Sequence, residues 1–160
     1  MKRTINFLHL IVILISALTT AGCTDPAAVT DQNTFVINHN WLYLNKFKYD
    51  FKIDNEKIAY NLYMNLRVTS DYKYSNLFVL ITQTRPDKTS TIRRYELKLA
   101  NKDGEWLGTG SGDLYSYQAL FRTAYKFPVK GVYYIEIEQN MRDNPLHNIS
   151  DVGLRVEKVK

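Results

Sequence analysis

Alternating apolar and polar residues dominate the chain from Phe35 onward. This period of two predicts half-buried β-strands, because successive side chains of a strand point to opposite faces. The segment from Leu77 to Thr82 is apolar at most positions and predicts a central strand covered on both faces. The alternating positions are Phe47, Tyr49, Phe51 and Ile53; Ile58, Tyr60, Leu62, Met64, Leu66 and Val68; Tyr95, Leu97 and Leu99; Tyr133, Ile135 and Ile137; and Val152, Leu154 and Val156.

The number of these segments predicts an all-β fold. Turn-forming residues such as Asp103-Gly104 separate them, and the spacing favours a single β-sandwich of about seven to nine antiparallel strands. The pattern leaves a jelly-roll and an immunoglobulin-like topology open. Residues 113–125 are ambiguous, because Leu114, Tyr117, Phe121 and Ala124 fit the spacing of a short helix nearly as well as that of a strand.

The N-terminus has the layout of an export signal. Lys2 and Arg3 precede an apolar run of about a dozen residues, which is too short for a permanent membrane-spanning helix of roughly 20 residues. Thr20-Ala21-Gly22-Cys23 then resembles a bacterial lipobox, in which the cysteine is acylated and the preceding peptide is removed. The prediction is a lipoprotein signal over 1–22, a lipidated tether over 23–33 and a β-sandwich domain over 34–160. The alternative is a secreted protein with an unused thiol.

Composition narrows the possible chemistry. Cys23 is the single cysteine of the 160 residues, which excludes an internal disulfide, a cysteine-based zinc site and a CxxC redox pair. The net charge is +5, but removal of 1–22 lowers the basic residues from 21 to 19 and keeps all 16 acids, leaving +3. The remaining charges of the two signs are interleaved, so the sequence does not indicate nucleic-acid binding.

Motifs for catalysis or metal binding are weak. The glycine-rich segment from Asp103 to Asp113 lacks the Lys-Ser/Thr of a phosphate-binding loop and the spacing of an EF-hand, and it favours a long loop or irregular edge strand. His39 and His147 are far apart, and no GxSxG is present. Glu136 and Glu138 share the polar face of a strand, where solvation is the default. The sequence predicts no enzyme activity, cofactor or metal.

Tyrosines form the remaining candidate feature. Eight of them lie off the clearest core registers and suit either a stacking platform for a glycan or protein, or a simple cover for the sheets. These eight are Tyr43, Tyr63, Tyr72, Tyr74, Tyr115, Tyr117, Tyr125 and Tyr134.

An ordered set of segments resembles a known family. The segments are Phe51 to Asp54, Tyr60 to Arg67, Tyr72 to Leu77, Leu99 to Gly110, Gly131 to Tyr134, Gln139 to Leu146 and Asp151 to Arg155. In this order, behind a lipoprotein signal, they are similar to the gliding motility-associated lipoprotein GldH family of the Bacteroidetes.

The resemblance implies an envelope lipoprotein of the gliding machinery, which in these bacteria is linked to type IX protein secretion. It implies no catalytic residues, and it makes other gliding or secretion envelope proteins the expected partners; a glycan-binding β-sandwich lipoprotein is the alternative. The residues after Cys23 lack the acidic run that is associated with surface export in this phylum. We therefore expect a periplasm-facing anchor, in either the inner or the outer membrane. Besides the lipidation site Cys23, the candidate interaction residues are Arg67, Asn76, Trp106, Gly108, Gly110, Met141 and Arg142.

Overall fold

A computed structural model describes residues 25–110 and 112–159 of the chain. The proposed signal over 1–22 and Cys23 lie outside these residues. The described part contains ten strands and one short 3₁₀ turn, Ile37–His39. The strands are β1 (Ala28–Phe35), β2 (Asn40–Trp41), β3 (Phe47–Ile53), β4 (Tyr60–Thr69), β5 (Asn76–Thr84), β6 (Ser90–Lys98), β7 (Leu114–Tyr125), β8 (Gly131–Gln139), β9 (Leu146–His147) and β10 (Ile149–Lys158).

The strands form a sandwich whose core follows the alternation in the sequence. In β4 every second residue from Tyr60 to Val68 is buried, and in β3 the buried positions are Tyr49, Phe51 and Ile53. These side chains point from the two sheets into one apolar layer. Alternate side chains of the central strand β5 point into the same layer. The all-β prediction is confirmed.

The strand order selects the jelly-roll topology. One sheet has the order β1-β10-β4-β7 and the other has the order β3-β8-β5-β6, with all pairs antiparallel. Among the eight long strands, β1 pairs with β10, β3 with β8, β4 with β7 and β5 with β6. This is the pairing that results when one long hairpin is wrapped into two sheets. The short strands β2 and β9 pair with each other beside them.

The ambiguous segment is a strand. β7 pairs with β4 over its whole length, and Tyr115, Tyr117, Ala119 and Phe121 pack against the core. These inward positions keep a period of two, but outward positions such as Leu114 and Leu120 are apolar as well, and register shifts interrupt the pairing near Arg122. The additional apolar residues explain why helical spacing fitted the sequence nearly as well.

The structure corrects the predicted tether. Residues 28–33 belong to β1, which pairs with β10 from Ala28 to Phe35, so the prediction of a flexible tether is wrong for them. β1 is a polar edge strand that backbone hydrogen bonds to β10 hold in place. Its composition therefore carries little of the alternation that marks the other strands.

The register assigns the loops to two ends of the sandwich. Ala28, the end of β10 and the loops 54–59, 85–89 and 126–130 lie at what we call the basal end. The loops 36–46, 70–75 and 140–148 lie at the opposite, distal end, together with the segment 99–110. Over the described residues, no helix is long and apolar enough to cross a membrane.

Candidate functional site

A polar groove lies on the outer face of the first sheet. Residues of four adjacent strands and Thr109 line it, and its volume is about 550 Å³. The side chains around it carry amide, hydroxyl, carboxylate and guanidinium groups, so the groove offers both hydrogen-bond donors and acceptors. Its lining residues are Asp31, Asn33, Asn65, Leu66, Arg67, Thr109, Ser116, Tyr117, Gln118 and Asp151.

An ion pair forms part of the floor of this groove. The Arg67 Nε donates to Asp151 Oδ2 over 2.6 Å, where β4 and β10 pair residue for residue. The Asp151 side chain is only 3% exposed, whereas that of Arg67 is 37% exposed. The guanidinium also lies 5.9 Å from the ring centre of Phe35 on β1. Arg67 therefore both neutralises a buried carboxylate and presents a partly exposed donor surface.

Two glycines let the wall of the groove approach β7. Thr109 and Ser116 exchange two backbone hydrogen bonds of 2.9 and 2.8 Å. A Cβ at Gly108 would lie 2.9 Å from the Ser116 carbonyl oxygen, and one at Gly110 would lie 2.2 Å from that of Leu114. Only glycine fits at this separation. The predicted loop or irregular edge strand is therefore the feature that places Thr109 in the groove.

A third glycine opens the centre of the outer face. Gly153 of β10 lies between Asn33 and Asn65 in the register, and a Cβ there would be 2.4 Å from the Gln32 carbonyl oxygen. Behind this strand, the Tyr49 hydroxyl donates to the Val152 carbonyl over 2.6 Å, and burial raises the pKa of Tyr49 to about 12. The Tyr49 hydroxyl therefore stays protonated near neutral pH and keeps this hydrogen bond.

A second arginine cluster lies on the same face toward the basal end. Arg155 donates to Asp31 and Glu157 over 2.9 Å each and also pairs with Asp25. Hydrogen bonds to Asp25 and Asp31 raise the pKa of Arg155, and those from Tyr63 and Arg155 lower the pKa of Glu157. This cluster fastens the residues before β1 to the sheet.

Large apolar side chains of β1 and of the loop 36–46 are exposed at the distal end of the sandwich. Phe35 is 75% exposed, Ile37 78% and Leu44 90%, and Leu42 is also exposed. The β1 end carrying Phe35 is adjacent to Asp151 in the register, and Val36 donates to the Ser150 carbonyl. We call Phe35, Ile37, Leu42 and Leu44 the apolar rim. Exposed apolar side chains gathered next to polar groups are typical of interaction surfaces.

The sequence-predicted candidates divide between the two sheets. Arg67, Gly108 and Gly110 meet at the groove, and Trp106 packs near it, with its ring centre 5.5 Å from that of Tyr115. Trp106 also packs against the core from this distal end. These four positions are therefore parts of one region.

The other three candidates lie at the distal end of the second sheet, at the ends of its inner strands β5 and β8. The Met141 sulfur accepts a hydrogen bond from the Phe78 backbone over 3.2 Å, and Asn76 donates to Glu96 over 2.8 Å. The Arg142 side chain is exposed, and its carbonyl accepts from the Tyr43 hydroxyl. Met141 and Arg142 border a smaller pocket of about 260 Å³ with Phe78. This pocket is separate from the groove.

The eight tyrosines do not form one platform. Tyr72 is buried beside Tyr74, Tyr63 donates to Glu157, and Tyr117 donates to the Leu99 carbonyl.

His147 contacts Asn40, and Lys46 forms ion pairs with both Glu136 and Glu138. Among residues 25–110 and 112–159, no group of three or more His, Cys, Asp or Glu side chains is arranged to hold a metal.

Sequence reasoning missed several groove residues, including Asp151, Asn33, Asn65 and Gln118. Asp151 carries the strongest signal, because a carboxylate within the apolar β10 needs a partner when buried. The three amides carry no signal of their own, since polar residues are expected on the outer face of any strand.

The fold and groove define an all-β jelly-roll protein with a polar outer face and an apolar rim. The model of the family described as GldH lipoprotein matches residues 28–156. A gliding motility lipoprotein GldH homolog of Christiangramia forsetii is 36% identical over 113 residues, 66% of this chain and 69% of the relative. Gliding motility lipoprotein GldH of Flavobacterium johnsoniae is 28% identical over 154 residues, 92% of this chain and 94% of the relative.

The chain therefore belongs to the GldH lipoprotein family. A solved structure of infectious bursal disease virus, Gx strain, aligns with 87% of this chain and 36% of that chain at 14% identity and a TM-score of 0.33. That similarity is too low to carry an argument.

Proposed function

We propose that this protein is a lipid-anchored, periplasm-facing accessory component of the gliding machinery and the linked type IX secretion apparatus. It acts through protein contacts rather than catalysis. The observation that carries the proposal is the exposed apolar rim at the end of the sandwich farthest from the N-terminal segment, where Phe35 lies against Arg67 of the polar groove. Membership of a family of lipoproteins supports the anchor, which we assign to Cys23.

The composition of the distal surface supports a protein as partner. Phe35 and Leu44 supply apolar area that loses water on contact, and Arg67, which lies against the Phe35 ring, supplies directional hydrogen bonds together with Asn65 of the groove. Aromatic residues and arginine are enriched at protein interfaces for these reasons. Arg67 is ordered by Asp151 before any partner arrives, which lowers the entropy cost of binding.

A double substitution of the rim tests this proposal. We expect Phe35→Ser with Leu44→Ser to abolish capture of envelope proteins by the full lipidated chain, and to impair secretion of cargo in cells that lack the native copy. The matched control is Ile92→Ser with Leu120→Ser, which removes exposed apolar side chains outside the rim. A rim variant that captures the same proteins and restores secretion as well as the control would contradict the proposal.

The anchor has its own test. Cys23→Ala should leave an uncut precursor without acyl chains, detected by mass spectrometry of the membrane fraction. Normal processing of this variant would show that the lipid is attached elsewhere or not at all.

A glycan is the second candidate ligand, because Asn33, Asn65, Gln118 and Ser116 line the groove with neutral hydrogen-bonding groups. This candidate predicts binding on a glycan array that Asn65→Ala with Gln118→Ala reduces at least tenfold. Flat binding of the unsubstituted protein would remove it and leave the protein-contact proposal untouched.

A further inference from the structure

The N-terminal segment is fixed to the basal end of the sandwich. The Ala28 backbone donates to the Asp25 carbonyl over 3.1 Å, the Ala27 backbone donates to the Asp25 carboxylate over 3.0 Å, and Asp25 pairs with Arg155. Asp25 is two positions from Cys23, and a trans peptide spans about 3.8 Å between Cα atoms. An acyl chain on Cys23 therefore attaches within about 8 Å of a fixed point of the fold.

This short connection determines which end of the protein lies at the membrane. Ala28 lies at the basal end, with the loops 54–59, 85–89 and 126–130. A connection of this length brings the basal loops to the bilayer surface and leaves the apolar rim pointing away. A long flexible tether would impose no such orientation.

Basic side chains predominate at this end. The three basal loops contain five basic residues, Lys57, Arg85, Lys88, Lys126 and Lys130, and three acidic residues, Asp54, Glu56 and Asp87. Lys52 and Lys158 at the adjoining strand ends add two more exposed cations. Of these seven basic residues, Lys52 and Lys130 form ion pairs with carboxylates in the described part of the chain. The nearby carboxylates of Asp25 and Glu157 are engaged by Arg155.

The distal end has no such excess. Its loops carry four basic and four acidic residues, and the adjoining strand ends add Lys98 and Asp113; the loop residues are Lys46, Lys73, Lys102 and Arg142 against Asp71, Asp103, Glu105 and Asp143. The excess of positive charge is therefore specific to the end nearest Cys23. Val129, which is also exposed, lies between Lys126 and Lys130 at the tip of a basal loop.

We propose that the basal end is a membrane-docking surface that binds anionic phospholipid headgroups. This inference rests on the anchor at Cys23 for its orientation. Basic residues near an anionic bilayer are attracted to it within about a Debye length, so a basic patch adds an electrostatic contact to the attachment that the lipid provides. The docked end holds the sandwich upright and presents the rim and groove away from the bilayer.

Vesicle sedimentation tests the surface without the lipid. The probe is the whole mature chain 23–160 with Cys23→Ser, mixed with phosphatidylcholine vesicles that contain either 30% or no phosphatidylglycerol. We expect binding to the anionic vesicles at low salt and its loss at 0.5 M salt. Replacing Lys57, Lys88 and Lys126 by Gln should weaken binding at least tenfold.

The matched control replaces three exposed distal cations, with Lys98→Gln, Lys102→Gln and Arg142→Gln. It removes the same charge and should change binding less than twofold. Lys→Arg replacements at the three basal positions should retain binding, which separates loss of charge from loss of fold. Equal weakening by the basal and control variants, or no preference of the unsubstituted chain for anionic vesicles, would overturn the proposal.

The lipidated protein tests the orientation. After reconstitution in the anionic vesicles, acetylation of Lys88 and Lys126 should be severalfold slower than that of Lys98 and Lys102, as read by mass spectrometry. Equal rates would contradict docking at this end. Because the sedimentation assay uses the chain without acyl groups, its outcome does not depend on the anchor or on gliding.

Discussion

Two arginine–carboxylate clusters occupy the same face of the first sheet and differ in burial. Near the distal end, Arg67 pairs with Asp151, whose side chain is almost fully buried. Near the basal end, Arg155 holds three carboxylates, of which Asp25 and Asp31 are substantially exposed. A buried charge requires its partner, whereas exposed pairs contribute little stability. The distal cluster therefore maintains the fold beneath the groove, and the basal cluster positions the N-terminal segment.

The largest effect should come from removing the partner of the buried charge. Arg67→Ala leaves Asp151 unpaired and should lower the free energy of unfolding by about 3 kcal/mol, measured by urea denaturation. This loss is at the low end of the cost of breaking a buried ion pair, because the Arg67 side chain is partly exposed to water. The double variant Arg67→Met with Asp151→Asn should recover part of the loss. A cost below about 1 kcal/mol for Arg67→Ala would show that the pair behaves like a surface one.

A smaller effect should follow from adding one methyl group between the clusters. Gly153→Ala places a Cβ 2.4 Å from the Gln32 carbonyl oxygen, so β1 must shift. We expect a loss of about 2 kcal/mol in the free energy of unfolding and faster hydrogen exchange in β1. Thr91→Ala, at an exposed position of β6 in the other sheet, is the control. Unchanged exchange in the Gly153 variant would mean that β1 is not packed as described.

Loss of the basal arginine should cost less and depend on pH. Arg155→Gln should lower the free energy of unfolding by about 1 kcal/mol at pH 7. Tyr63 and Arg155 lower the pKa of Glu157 below its usual value of 4.5. A lowered carboxylate pKa stabilises the fold above the usual value, and the gain is lost as the pH falls through the folded-state pKa. Denaturation at pH 7 and pH 3 should therefore show the two proteins converging in acid. A constant difference would contradict the role of Glu157.

The smallest effect on stability should be at the rim. Leu44→Ser removes a side chain that is 90% exposed, so the free energy of unfolding should change by less than about 0.5 kcal/mol. Thermal unfolding checks this. A large loss would indicate that Leu44 supports the fold, and would weaken its assignment as an interaction residue.

Much of the sandwich could be predicted because several of its strands carry a clean period of two. Tyr49, Phe51 and Ile53 of β3 and Tyr133, Ile135 and Ile137 of β8 are buried as the alternation indicates. β1 could not be predicted in this way, since its stability comes from backbone pairing with β10. The sequence likewise left jelly-roll and immunoglobulin-like topologies open, because strand order depends on pairing between distant segments.

The groove was less predictable for the same reason. Arg67 was a candidate through family resemblance, but its partner Asp151 is 84 positions away and meets it only through the pairing of β4 with β10. Gly108 and Gly110 were candidates through the same resemblance, and the close approach to β7 explains why glycine is needed at both positions. Met141 and Arg142 lie apart from the groove because they follow β8, which belongs to the second sheet.

Site-specific photo-crosslinking tests the central claim, that the distal rim contacts another protein, most directly. A photoreactive p-benzoylphenylalanine replaces Leu44, Leu120 or Val129 in the full lipidated chain, produced in its own cells. We predict a discrete adduct with an envelope protein from Leu44 and none from Leu120 on β7 or Val129 at the basal end. Absence of an adduct at Leu44, or the same adducts from all three positions, would contradict the claim.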